Sequence, residues 1–151
     1  MNRFGDASLA DREVPGAAGR DGVLLAARLL AGLIFVVSGF GKLAGLGGFT
    51  AGMAGRGVPL AEIAAPLGVA AEFVGGLALL AGAWTRWAAL ALAVFTVAAT
   101  LIAHRFWAFP PDEQMMQTTQ FLKNLAIIGG LLALYVAGGG RLGVDGFRAG
   151  R

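Results

Sequence analysis

Five polar side chains interrupt otherwise apolar stretches of this sequence: Lys42, Glu72, His104, Lys123 and Asn124. Glu72 lies near the middle of its stretch. An ionisable group at bilayer depth costs about 2.5–3.5 kcal/mol on insertion scales, so it faces protein or water and takes a partner. At helical spacing its neighbours are Ala65, Gly68, Gly75 and Gly76, all small. Small residues admit a second helix at close range, which turns Glu72 toward the other segments. Lys42 shares a helix face with Ser38, four residues before it. Thr96, Thr100 and His104 form a stripe at intervals of four, and Lys123 and Asn124 open the last apolar stretch. Lys42, Lys123 and His104 can donate hydrogen bonds, Asn124 adds an amide, and Glu72 can pair with one of the cations or relay a proton. Such a set suits an apolar pocket holding a ligand with acceptor oxygens, with Trp107 or Phe121 walling the entrance and residues 105–120 covering it. A purely structural alternative stays open. The lysines then snorkel to headgroups, Glu72 fixes helix register, His104 is solvated or hydrogen-bonded, and Thr96 and Thr100 bond to backbone carbonyls. Arg28, about two turns inside the first stretch, is expected to snorkel as well.

The elements that must position these residues follow from composition. Of 151 residues, 57% are hydrophobic and 14% charged, against roughly 25% charged in a soluble domain. A water-soluble domain and a disordered chain are both excluded. Four apolar stretches cover about residues 22–44, 63–83, 87–104 and 121–138. Each approaches the ~20 residues that cross a ~30 Å hydrocarbon core as a helix, and none alternates as a membrane strand would. Trp87 and Trp107 bracket the third like interfacial anchors. The expected fold is therefore all-α: a four-helix transmembrane bundle over residues 22–140, with polar tails at 1–21 and 141–151. Residues 84–86 make a tight helical hairpin. Phe49 and Met53, four apart in the glycine-rich segment 45–62, suggest a short helix on the membrane surface. Pro110-Pro111 breaks the chain within 105–120. Gly138-Gly139-Gly140 marks a helix end, since no strand precedes it as a phosphate loop requires.

Lysine and arginine bias sets the expected orientation. Eight of these residues fall on the side shared by both termini, and Lys42, Arg56, Arg105 and Lys123 fall on the other. Both termini are thus expected in the cytoplasm. The apolar stretch begins only near Val23, too late for a cleaved signal peptide. With no cysteine and one histidine, the chain has no disulfide, no thiolate nucleophile and no cysteine-ligated cluster. A bis-histidine haem and a multi-histidine metal site are likewise outside its means, so no metal is expected. The net charge of +3 comes from scattered residues, which argues against nucleic acid as a partner.

RLLAGLIFVVSGFGKL at residues 28–43 resembles the first helix of the DoxX family of small bacterial membrane proteins. Glu72, with GGLALLAGAWTRWAAL running to residue 90, is similar to that family's second helix and hairpin. FLKNLAIIGGLLALYVAGGGRLGVD at 121–145 resembles its fourth helix and glycine-rich end, including the Lys-Asn pair and Asp145. The order and spacing of these motifs carry the resemblance, which covers about residues 23–145. It implies a four-helix protein of the bacterial cytoplasmic (inner) membrane. Some members are associated with thiosulfate:quinone oxidoreductase, hydroquinone resistance or oxidative-stress complexes. It assigns no catalytic role to any single residue.

The expected function is a small membrane subunit of a quinone-linked oxidoreductase or redox-stress system. A quinone is the expected cofactor, and none is expected to be covalently held. Electrons would come from a redox partner subunit, since this chain has no redox centre of its own. A non-enzymatic membrane scaffold or assembly partner is the alternative. A small-solute transporter is weaker, because no internal repeat or pair of broken helices is visible. Besides the lipid bilayer, a homo-oligomeric partner stays open.

Overall fold

The computed structural model describes residues 16–150. Six α-helices follow in order: α1 (Ala17–Ala44), α2 (Leu46–Gly55), α3 (Ala61–Ala81), α4 (Thr85–Ala103), α5 (Pro111–Ala137) and α6 (Val144–Ala149). A single 3-10 turn, Phe106–Ala108, lies between α4 and α5, and the described residues contain no strand. Helices α1, α3, α4 and α5 have the length and apolar content to cross a membrane. The short helix expected within 45–62 is α2. Residues 1–15 of the expected N-terminal tail lie outside the described residues, and α1 begins at Ala17, earlier than the apolar stretch suggests.

Residues 105–120 depart from the expected loop. Pro111 occupies the first helical position, where a missing N–H costs nothing and the fixed φ favours the helix. Asp112 and Glu113 in the first turn complement the positive end of the helix dipole. The proline pair therefore launches α5 ten residues before its apolar part begins.

The tightest helix contact is α1 on α3, and glycine permits it. A Cβ on Gly76 would stand 2.9 Å from Phe35 Cβ, and one on Gly32 would stand 2.9 Å from the Gly76 carbonyl oxygen. Phe35, Leu79, Ala89, Leu92, Ala93, Leu131 and Leu134 form the buried core shared by the four long helices. Leu30, Leu67 and Val136 are exposed, as lipid-facing side chains of a membrane bundle are.

The end of the bundle holding the α3–α4 hairpin is closed by polar groups tied to helix termini. Arg28 is not a snorkelling residue: it is fully buried. It donates from Nη1 to the Leu79 carbonyl (3.3 Å) and from Nη2 to the Leu142 carbonyl. The α3 end and the 138–143 segment cover it at close range, which leaves no path to water. Gly82 (φ 65°) faces the guanidinium where a Cβ would collide with it. The expected tail 141–151 carries α6, and Asp145 folds back to cap α4. Its Oδ1 accepts the Trp84 N–H and its Oδ2 the Thr85 N–H, both at 2.8 Å. Trp84 holds a left-handed backbone there (φ 45°), a conformation unfavourable for a bulky residue. Arg86 donates to the Tyr135 and Val136 carbonyls at the end of α5. All four long helices are thereby tied at this end.

Candidate functional site

At the opposite end, helices of unequal reach leave a cavity. α1 ends at Ala44, just past Lys42, while α3 continues to Ala61. α2 packs against α3. Beneath it lies a cavity of about 520 Å³ lined by α1, α2, α3, α4 and α5. Lys42, Glu72, His104, Lys123 and Asn124 all line it, so the five residues named from sequence converge on one space.

Lys42 Nζ lies 2.6 Å from Glu72 Oε2, which settles Glu72's partner among the three cations considered. The Glu72 side chain is 5% exposed and that of Lys42 29%. The ammonium also stands 5.5 Å from the Phe49 ring centroid and 5.9 Å from that of Phe95, within cation–π range. Lys42 is therefore held from α2, α3 and α4 at once and does not snorkel freely.

Thr96 Oγ1 donates to the Leu92 carbonyl (2.7 Å) and Thr100 Oγ1 to the Thr96 carbonyl (2.6 Å). The backbone bonding weighed from sequence is thus present. Thr100 also accepts the Asn124 amide at 2.8 Å, so the stripe orients Asn124 across the α4–α5 contact. His104 Nδ1 lies 2.8 Å from Gln117 Oε1. With the Gln117 amide oxygen as acceptor, Nδ1 is the donor in this contact. Lys123 has no hydrogen bond or ion pair among the described residues.

Two placements differ from expectation. Trp107 and Phe121 do not line the cavity. They stack edge-on with each other at 6.1 Å and with Phe106 at 5.0 and 5.5 Å. The 3-10 turn brings these rings together outside the bundle's polar interior. Nor does 105–120 cover the cavity, because its proline pair sends it into α5. Phe49, Met53 and Arg56 of the α2 region line the cavity instead.

Sequence reasoning missed Gln117, Phe95 and Arg56 as members of the site. Gln117 lies seven residues before Asn124, two helical turns away on the same face, so extending the α5 periodicity backward would have found Gln117. Phe95 is one aromatic in an apolar run and carries no such signal.

The fold and cavity define a small four-helix membrane protein with a polar interior site. The DoxX family model matches residues 23–105, and the SURF4 family model matches residues 69–149. "Inner membrane protein YphA" of Escherichia coli (strain K12) is 32% identical over 128 residues, which are 85% of this chain and 91% of the relative. "Inner membrane protein YqjF" of the same organism is 37% identical over 122 residues, 81% and 88% of the two chains. The chain belongs to the DoxX family. It is a multi-pass protein of the bacterial inner membrane. No solved structure matches it.

Proposed function

We propose that this chain is the small membrane subunit of a quinone-linked oxidoreductase or redox-stress system, holding a quinone head in the cavity beneath α2. One observation carries this reading: Lys42, Glu72, His104, Lys123 and Asn124 all border one cavity of about 520 Å³. That size lies within the ~300–1,000 Å³ of small-molecule sites. Apolar walls such as Ile34, Phe35 and Ile127 suit a ring and an apolar tail. Lys42 and Lys123 would hold the two carbonyl oxygens as donors, and Nε2 of His104 would hold a proton exchanged there. When bound, the quinone supplies the redox couple. The protein's residues orient it, exclude water and provide the proton site. Electrons come in this proposal from a partner subunit, and both termini lie in the cytoplasm with the cavity end facing outward.

Purification in mild detergent, lipid extraction and redox difference spectra test this directly. The reading expects a quinone in the extract, or saturable binding of an added one, and loss of that binding in Lys123→Met. Protein that carries no quinone and binds none overturns it. The scaffold reading is favoured by the closed Lys42–Glu72 pair and the Thr100–Asn124 bond, which satisfy one another without a ligand. It expects His104→Ala to change stability and activity together, whereas the quinone reading expects binding to fall while the fold survives.

A further inference from the structure

The charges around the cavity do not balance. Lys42, Arg56 and Lys123 line it against one carboxylate, Glu72. That carboxylate is already committed to Lys42 at 2.6 Å. Arg56 donates to the Gly52 carbonyl of its own helix (3.0 Å), which supplies no countercharge. Among the described residues neither Arg56 nor Lys123 has an acidic group within ion-pair distance. The other acids near this end of the bundle, Glu62, Asp112 and Glu113, are exposed and do not line the cavity.

Arg56 and Lys123, both exposed, border a cavity with apolar walls without a carboxylate partner and give its rim a positive potential. An anion placed there gains charge-assisted hydrogen bonds that a neutral head does not. The apolar part of the lining extends from the Lys42 level back to Ile34, about 12 Å along α1. Apolar lining thus continues from the charged groups toward the bundle interior.

We infer that the cavity selects an ionised, monoanionic headgroup on an apolar body, held by Arg56 and Lys123 with Lys42 beside them. Among quinones this means one bearing an acidic ring hydroxyl in preference to its neutral counterpart. The anion site rests on the cavity being the ligand site proposed above; Arg56, absent from the quinone-holding set, is its distinctive residue.

Equilibrium binding to the full chain in detergent tests it with three probes. These are neutral 2-methyl-1,4-naphthoquinone, 2-hydroxy-1,4-naphthoquinone in its ionised form at neutral pH, and dodecanoate. The ionised naphthoquinone is expected to bind roughly tenfold tighter than the neutral one at low salt, with the gap narrowing as salt rises. Arg56→Met is expected to reduce that ratio several-fold, with a thermal melt confirming that the variant folds. Equal binding of the two naphthoquinones overturns the anion site and leaves the quinone reading standing. Dodecanoate binding that depends on Arg56, with neither naphthoquinone bound, upholds the anion site and overturns the quinone reading. Binding of none of the three overturns both.

Discussion

Lys42, in the last turn of α1, meets Glu72, near the middle of α3, with Nζ 2.6 Å from Oε2. About 14 Å of helix separates Glu72 from the C-terminal end of α3. The pair spans the most tightly packed helix contact of the bundle. Gly39 beside Phe73, where a Cβ would stand 3.0 Å from the Phe73 Cβ and N, lets α1 come close enough to make it.

Glu72→Gln removes the carboxylate and leaves the ammonium without its counter-charge. Breaking a buried pair typically costs about 3–5 kcal/mol. The loss here should fall toward or below the lower figure, because the Lys42 side chain keeps 29% exposure. A thermal melt in detergent should show it, and the double variant Lys42→Met/Glu72→Leu should recover most of the lost stability. A single variant that melts like the parent would exclude the pair as a stabilising element.

Arg28→Ala opens the other end of the bundle. It strips two carbonyls, Leu79 and Leu142, of their donor and leaves a void where the guanidinium was. A cost of about 3 kcal/mol is expected from the two unsatisfied acceptors. Arg28→Lys should rescue only part of it, since an ammonium lacks the planar fork that reaches both carbonyls. Limited proteolysis of the 138–149 segment, faster in Arg28→Ala than in the parent, checks the link to Leu142.

Asp145 makes one stability contribution depend on pH. Burial pushes its carboxyl up, but the N–H groups of Thr85 and Trp84 and the charge of Arg148 together hold it below the ordinary carboxylate range. The stabilisation from a depressed carboxylate is present above the unfolded value of about 3.9 and disappears as pH falls through the folded value. Asp145→Asn should therefore be less stable at neutral pH by about 1–2 kcal/mol, because an amide has one accepting oxygen for the two N–H groups and no charge. The gap should close in strong acid. A gap independent of pH would mean that the carboxylate charge is not what caps α4.

Much of this was legible in the sequence for physical reasons that differ from residue to residue. Four apolar stretches at bilayer length admit one fold class, and a mid-span carboxylate flanked by small residues admits one facing. Lys42, Glu72, His104, Lys123 and Asn124 could therefore be assembled from position alone. Arg28 was misplaced because an arginine two turns from a helix end usually snorkels. Only the fold shows that the residues around 140 return to enclose it. Asp145 stood out only through the family resemblance, and its capping role carried no signal, since its partners at 84 and 85 are distant in sequence and cap geometry is tertiary. The start of α5 was missed because hydropathy marks where a helix enters lipid, whereas Pro111 and the acidic first turn mark where it begins.

Orientation can be fixed chemically because the chain has no cysteine of its own. Cysteines placed at Gly57 and Asp112 should react with an impermeant thiol reagent in intact cells, and one at Ala149 should not. The opposite pattern would reverse the topology and turn the cavity toward the cytoplasm.

Photoaffinity labelling with an azidoquinone, followed by peptide mapping, tests most directly whether the cavity is a ligand site. The account predicts label on peptides containing Lys123 or Met53, competed by unmodified quinone and lost in Lys123→Met protein that still folds. Label confined to outward-facing residues such as Leu30, Leu67 and Val136, and insensitive to competitor, would contradict it.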